Sequence, residues 1–290
     1  MGPAERSDII IDFRGFAGQK LILYSDAPAP FPSGDSRNDY FTGDDDQTAI
    51  GGAPKTLPGF GPNTRTLMQI RVANGPVSSE PDFNTALGLL NRMLPSVFED
   101  TQPPPLRRFV GQFERGLGKT LNEDFDQYGR LWQRLGTTSS RSTNNQGLDT
   151  WGLDYVDMAM DRGKITEIAN QGETQVWNVF NNTGDVHPIH FHLVNVQVLS
   201  RAPFTDYKHI GLANARPPEP NERGWKETVR MNPGEVTTVI MKFNAPNPHT
   251  WQPWLQFFTS PVAGGYEYMW HCHILDHEEH DMMRNVRVNP

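Results

Sequence analysis

The sequence predicts an all-β fold, a sandwich or barrel of short strands, and three observations carry that expectation. Short apolar segments recur between turn clusters along much of the 290 residues. Glycine (26) and proline (24) are plentiful, which supplies turns without making the chain low in complexity. From Leu106 onward, no stretch sustains the apolar period of a helix.

Taken in order, residues 7–12 (SDIIID) and 20–24 (KLILY) read as two apolar strands on either side of a glycine-containing turn around Arg14–Gly18. Residues 25–64 are rich in Pro, Gly, Asp and Ser and read mostly as loop. Thr66–Val72 (TLMQIRV) reads as a further strand. Three strands and a long loop are too few to enclose a core, so residues 1–72 are expected to be the tail of a domain that begins elsewhere. Residues 73–104 read as a connector. Within it Asp82 caps a short helix over Phe83–Leu94, with apolar positions at Phe83, Leu87, Leu90 and Leu94, and the prolines at 103–105 close the region. The remaining segment, 105–290, is expected to be a separate β domain. Its clearest strands are Val176–Phe180, Val194–Leu199, Thr237–Phe243 and Tyr266–Trp270, with a turn at Asn232-Pro233-Gly234. No internal repeat is visible.

Charge and hydropathy exclude some partners. The net charge is −8 and lysine and arginine form no cluster, which argues against nucleic acid or an anionic membrane. Apolar runs reach only about five residues, far short of the ~20 that a spanning helix needs. The opening MGPAERSDIIIDF has neither the basic nor the apolar region of a secretory signal, but residue 1 need not be the biological start, so the compartment stays open. The single cysteine, Cys272, cannot form an intrachain disulfide and stands among histidines as a candidate ligand or nucleophile.

All nine histidines lie after residue 186. One group is His187-Pro-Ile-His190-Phe-His192; the other is His271-Cys272-His273 followed by His277 and Met282. On an extended strand, residues two apart share a face. His190 and His192 therefore point one way, as do His271 and His273, while Cys272 points to the opposite face. His187, three before His190, faces the cysteine side. A turn after Cys272 can fold His277 and Met282 back around the sulfur. Two imidazoles, a thiolate and a weak axial thioether make a blue-copper (type 1) electron-transfer site, whereas zinc has no use for the thioether. His209, His249 and His280 lie off the motif and read as ordinary surface or loop side chains; Met283 reads as packing, and Met231 and Met241 as core.

HPIHFH and HCHILDHEEHDMM resemble the two C-terminal copper signatures of the multicopper oxidases, in particular the group of spore-coat laccase, bilirubin oxidase and phenoxazinone synthase. PAERSDIIIDF is similar to the end of that group's second cupredoxin domain, and GWKETVRMNPGEVTTVIMKF to strands of its third. The resemblance implies a cupredoxin-like Greek-key sandwich or barrel. It implies type 1 copper on His187, Cys272 and His277 with Met282 axial, type 2 copper on His190, and a type 3 copper pair on His192, His271 and His273. It further implies one-electron oxidation of a small aromatic reductant such as a phenol, aminophenol or pigment, coupled to four-electron reduction of O2 to water. Glu278 matches an acid that assists proton delivery, against a plain surface carboxylate. By the same resemblance the compartment would be extracellular, periplasmic or the spore surface.

One departure matters. The family completes its trinuclear copper site with two more His-x-His motifs, and residues 1–186 contain no histidine. The chain is therefore expected to work with an N-terminal half, as a cleaved piece or as one subunit of a split oxidase. The alternatives are a degenerate electron-transfer or copper-binding module, or an enzyme like the copper nitrite reductases, although those place only one histidine beside the cysteine.

Overall fold

The computed structural model describes residues 1–290 except 8, 36, 38, 53, 61–62, 76–81, 102–105, 107–112, 126, 130, 138–166, 245–265, 281 and 290, and the side chains of 94–101 and 124. By its contacts the chain divides into two units, Met1–Ser7 with Pro104–Pro290, and Asp8–Pro103. The expected division into 1–72, 73–104 and 105–290 was drawn from composition; the contacts group the first seven residues with the C-terminal segment. His249 and the prolines at 103–105 lie outside the described residues.

In the unit Asp8–Pro103, strands β1 (Lys20–Tyr24) and β2 (Thr66–Arg71) pair antiparallel, as their patterns predict. The strand expected over 7–12 does not form among the described residues: Ile9, Ile10 and Ile11 have no ladder partner and are 62%, 54% and 43% exposed. Apolar β-branched residues favour a strand only when a neighbour pairs with it and covers one face. Helix α1 spans Phe83–Thr101, extending beyond the expected Leu94. Asp82 caps it as expected, accepting hydrogen bonds from the Thr85 amide (3.1 Å) and hydroxyl (2.7 Å). Among the described residues, none of the buried hydrophobic ones belongs to this unit.

The other unit is a cupredoxin-like β-sandwich. Its strands are β3 (Leu117–Phe125), β4 (Leu131–Thr137), β5 (Glu167–Asn170), β6 (Thr174–Asn181), β7 (His187–Phe191), β8 (Val196–Asp206), β9 (His209–Ile210), β10 (Trp225–Lys226), β11 (Thr228–Met231), β12 (Glu235–Lys242), β13 (Tyr266–Cys272) and β14 (Met283–Asn289). One sheet runs β10-β8-β12-β6-β3-β4, with β9 beside β8; the other runs β11-β7-β13-β14-β5. Strand β12 (EVTTVIMK) is rich in β-branched residues and buried over most of its length because β8 and β6 flank it. Gly234, at φ 67°, makes the turn before it, a conformation that favours glycine. The core lies between the sheets. Trp177 of β6 packs edge-on against Trp270 of β13 at 5.4 Å, with Ile189, Val239, Met231 and Met241 fully buried around them. Between Cys272 and Met282 the expected turn is a short helix, α2 (Leu275–Glu279).

Candidate metal centre

Strands β7 and β13 lie side by side and carry four of the eight candidate ligands, with His192 and His273 next after their ends. Their antiparallel register sets His271 opposite His190 and Cys272 opposite Ile189. Alternation then sends Cys272 into the core and His271 to the other face. His187, at the start of β7, joins the cysteine. Helix α2 returns the chain so that His277 comes back to the sulfur. The loop is closed by backbone hydrogen bonds from the Met282 amide to the His277 carbonyl (2.9 Å) and from the Cys272 amide to the Met282 carbonyl (3.0 Å).

The first group is compact. Cys272 Sγ is 3.5 Å from the Nδ1 atoms of both His187 and His277, and these two nitrogens are 3.2 Å apart. Ligands at about 2.0–2.3 Å from one metal in a trigonal plane stand about 3.5–3.7 Å from each other, so this donor triangle is close to the size of a metal's coordination plane. Cys272, His187 and Met282 are fully buried and His277 is half-buried. Burial, with the nearby His277 charge, holds the His187 imidazole down to about 3; burial likewise holds His277 down to about 4. Both imidazoles are thus neutral ligands at neutral pH. Burial pushes the Cys272 thiol up to about 12, so a cation among the three donors is what would displace its proton. A soft thiolate with two imidazoles and a buried thioether nearby is a donor set that fits copper.

The second group lies on the opposite face. The rings of His190 and His192 are 5.1 Å apart, those of His192 and His271 5.2 Å, and those of His271 and His273 5.3 Å. His192 Nε2 faces His271 Nε2 at 3.2 Å. The other nitrogen of His271 donates to the Cys272 carbonyl (2.9 Å), which leaves Nε2 as the free lone pair. Nδ1 of His190 bonds the Thr228 hydroxyl (3.0 Å), so its Nε2 is again the available atom. Burial and the neighbouring imidazoles hold His190 down to about 4. Glu278 Oε2 lies 3.8 Å from Nδ1 of both His271 and His273. The described residues thus bring every expected histidine and cysteine ligand into one of two groups, back to back, while Met282 is buried with its backbone bonded to Cys272 and His277. They leave His209 exposed and paired with Asp206 (2.6 Å), and His280 exposed at the end of α2.

Sequence reasoning did not find the residues that hold the imidazoles. Thr183 bonds His187 and Thr228 bonds His190. Neither sits in a motif; Thr228 is 38 residues from its histidine, and only the pairing of β11 with β7, which sets Thr228 opposite His190, brings it there.

A family model described as "Multicopper oxidase" matches residues 134–290. Among curated proteins, a laccase of Bacillus subtilis (strain 168) is 30% identical over 298 residues, covering 99% of this chain and 42% of that protein. A laccase of Bacillus stratosphericus gives the same identity and shares of coverage over 295 residues. The crystal structure of a multicopper oxidase, McoA, from the hyperthermophile Aquifex aeolicus aligns over 79% of this chain and 38% of that one, at 20% identity and a TM-score of 0.43. The chain thus spans less than half the length of the laccases it matches. With the family model covering more than half of its residues, the chain belongs to the multicopper oxidase family.

Proposed function

We propose that this chain is the electron-entry half of a laccase-like oxidase, with an N-terminal half, on the same or another polypeptide, supplying the two His-x-His motifs it lacks. The observation that carries this reading is the back-to-back placement of two ligand groups on one strand, with Cys272 on one face and His271 on the other. His187, Cys272, His277 and Met282 would hold type 1 copper, His190 type 2, and His192, His271 and His273 half of the type 3 pair. Copper bound there supplies one-electron redox chemistry, drawing single electrons from a small aromatic donor and delivering four to dioxygen to form water.

The protein's own groups shape that chemistry. His187 is buried with Nε2 engaged by Thr183, whereas His277 is half-buried, so a reductant has its approach at the His277 edge. Cys272 is joined through one peptide unit on either side to His271 and His273, the shortest covalent route between the two groups. Glu278 is placed to hold a proton beside the His271 and His273 rings. A thioether from Met282 would suit a copper of moderate rather than high potential. The ten methionines are scattered, which favours an organic reductant over cuprous ions.

The test is to purify the protein, measure copper per complex and look for a second polypeptide. About four coppers, the number the type 1, type 2 and type 3 sites require, with a histidine-bearing N-terminal partner and O2 consumption, would support the oxidase. A single copper with no partner would replace it with an electron carrier. Cys272→Ser should abolish the intense thiolate-to-copper visible band; if the band survives, the type 1 assignment is wrong.

A further inference from the structure

We propose that Asn181 and Thr183 form a latch that fixes the tautomer of His187, so that its Nδ1 lone pair is presented beside Cys272. The inference rests on the copper-site reading above for the identity of the metal; the tautomer is argued from the hydrogen bonds around Thr183. Asn181, at the end of β6, is fully buried and Thr183 is 5% exposed. The amide nitrogen of Asn181 donates to the carbonyls of Asp185 (2.7 Å) and Met231 (2.9 Å). Carbonyls only accept, so both amide protons are used and the orientation of the amide is set. Its Oδ1 can then only accept, and it does so from the Thr183 amide (2.9 Å) and the Thr183 hydroxyl (2.8 Å).

The hydroxyl has one proton. Whether it goes to Asn181 Oδ1 or to the Asp185 carbonyl at 3.2 Å, it goes to an acceptor. The oxygen accepts from the Asp185 amide (3.3 Å). With its proton on Asn181 Oδ1, the nearer of the two oxygens, it accepts from His187 Nε2 (2.7 Å) as well. Nε2 of His187 thus carries the hydrogen, and a neutral imidazole has only one. Nδ1 is left bare, 3.5 Å from Cys272 Sγ. The latch also spans the sandwich: Asn181 lies on the β6 sheet, while the Met231 carbonyl belongs to β11, whose register sets Met231 opposite His187. On the opposite face the choice is reversed, because the Cys272 carbonyl takes the Nδ1 proton of His271 and leaves Nε2 as the ligand atom. Thr183 is a positioning residue: it touches the imidazole and neither the metal position nor a substrate.

The first measurement needs no variant and no copper. In metal-free protein labelled with 15N-histidine, a long-range proton–nitrogen correlation at neutral pH should show His187 protonated on Nε2; protonation on Nδ1 would overturn the latch, whatever metal the site takes. The second compares Thr183→Val with Thr183→Ser by copper titration against a chelator, read from the visible band. Removal of such a supporting partner costs roughly 10–100-fold in metal affinity. Thr183→Val should show that loss together with a mixed tautomer, and Thr183→Ser should restore both. A valine variant with native affinity and a pure Nε2 tautomer would overturn the proposal. Copper uptake by the native protein without a blue band would instead overturn the type 1 reading, and the correlation spectrum would still decide the tautomer.

Discussion

At the scale of single residues, the sandwich buries a cluster of three charges. Lys119 of β3, Glu167 of β5 and Arg284 of β14 are each at most 3% exposed. Lys119 Nζ lies 3.1 Å from Glu167, Arg284 Nε 3.2 Å from it, and the ammonium also sits 4.5 Å above the Trp177 ring. Burial pulls the Lys119 ammonium below its usual range, and Glu167 pulls it back only in part. Glu167 is the anion that both cations face, so its removal touches two ion pairs, whereas removal of Lys119 touches one. Glu167→Gln should therefore cost about 3–5 kcal/mol and Lys119→Met distinctly less, read from urea unfolding; equal costs would show that the three charges do not act as a unit. Glu278 raises a different question at the same scale. If it holds a proton for the adjacent histidines, Glu278→Gln should lower oxidase turnover about 10²-fold or more and alter its pH profile, leaving the visible band in place; unchanged turnover and profile would reduce it to a surface carboxylate. The two side-chain groups were legible in the sequence because a strand alternates with a period of two, which sorts His187 with Cys272 and His190 with His271 without any coordinates. Thr183 and Thr228 were not, because a hydroxyl becomes a partner only through the turn or the strand pairing that delivers it.

At the scale of elements, the pairing of β11 with β7 sets where His187 and His190 stand, and a buried charge network backs β11 from behind. Arg230 of β11 faces Glu5 (3.2 Å), Glu219 (3.1 Å) and Glu222 (3.5 Å), and Arg201 of β8 donates to Glu222 (2.8 Å) and to the Arg230 carbonyl (2.9 Å). Burial alone would raise the Glu222 carboxyl, but the Arg201 hydrogen bonds and charge outweigh it and hold it below the ordinary 4.5. A carboxyl lowered in the folded state contributes stability above its unfolded value and loses it as the pH falls through the folded one. Glu222→Gln should therefore unfold at lower urea than the native protein at neutral pH, with the gap narrowing as the pH falls below 4.5 and through the lower folded-state value. A gap independent of pH would mean that the ion pair is not what Glu222 contributes. Strands with a partner in the chain, such as 20–24 with 66–71, were readable from pattern, and so was the Asp82 cap. The strand at 7–12 was not realised, because pattern reports a preference for pairing but cannot say whether a partner is present. Helix α2 escaped because five residues are too few to show a period.

At the scale of the whole chain, the two units differ in how they meet the cost of ordering. The sandwich encloses a core around Trp177 and Trp270, whereas the described residues of Asp8–Pro103 include no buried hydrophobic one and leave Ile22, Leu67 and Met68 at 52%, 65% and 50% exposure, besides the three isoleucines at 9–11. Fixing a residue's backbone costs about 1–2 kcal/mol, and only burial of apolar surface offsets that on the scale of a domain. The unit's β-branched strands therefore need a covering surface, and the laccases that this chain matches are more than twice its length. Amide hydrogen exchange distinguishes the two units directly. In the chain by itself, β6, β12 and β13 should exchange at the slow limit set by global unfolding, while β1 and β2 should exchange orders of magnitude faster. Adding the proposed histidine-bearing N-terminal half should slow β1 and β2 toward the rate of the sandwich, and should protect residues 9–11 if they then enter a ladder. If β1 and β2 were already as protected as β12 in the chain alone, the unit would be complete as it stands, and the case for a missing half would rest on the histidine count alone.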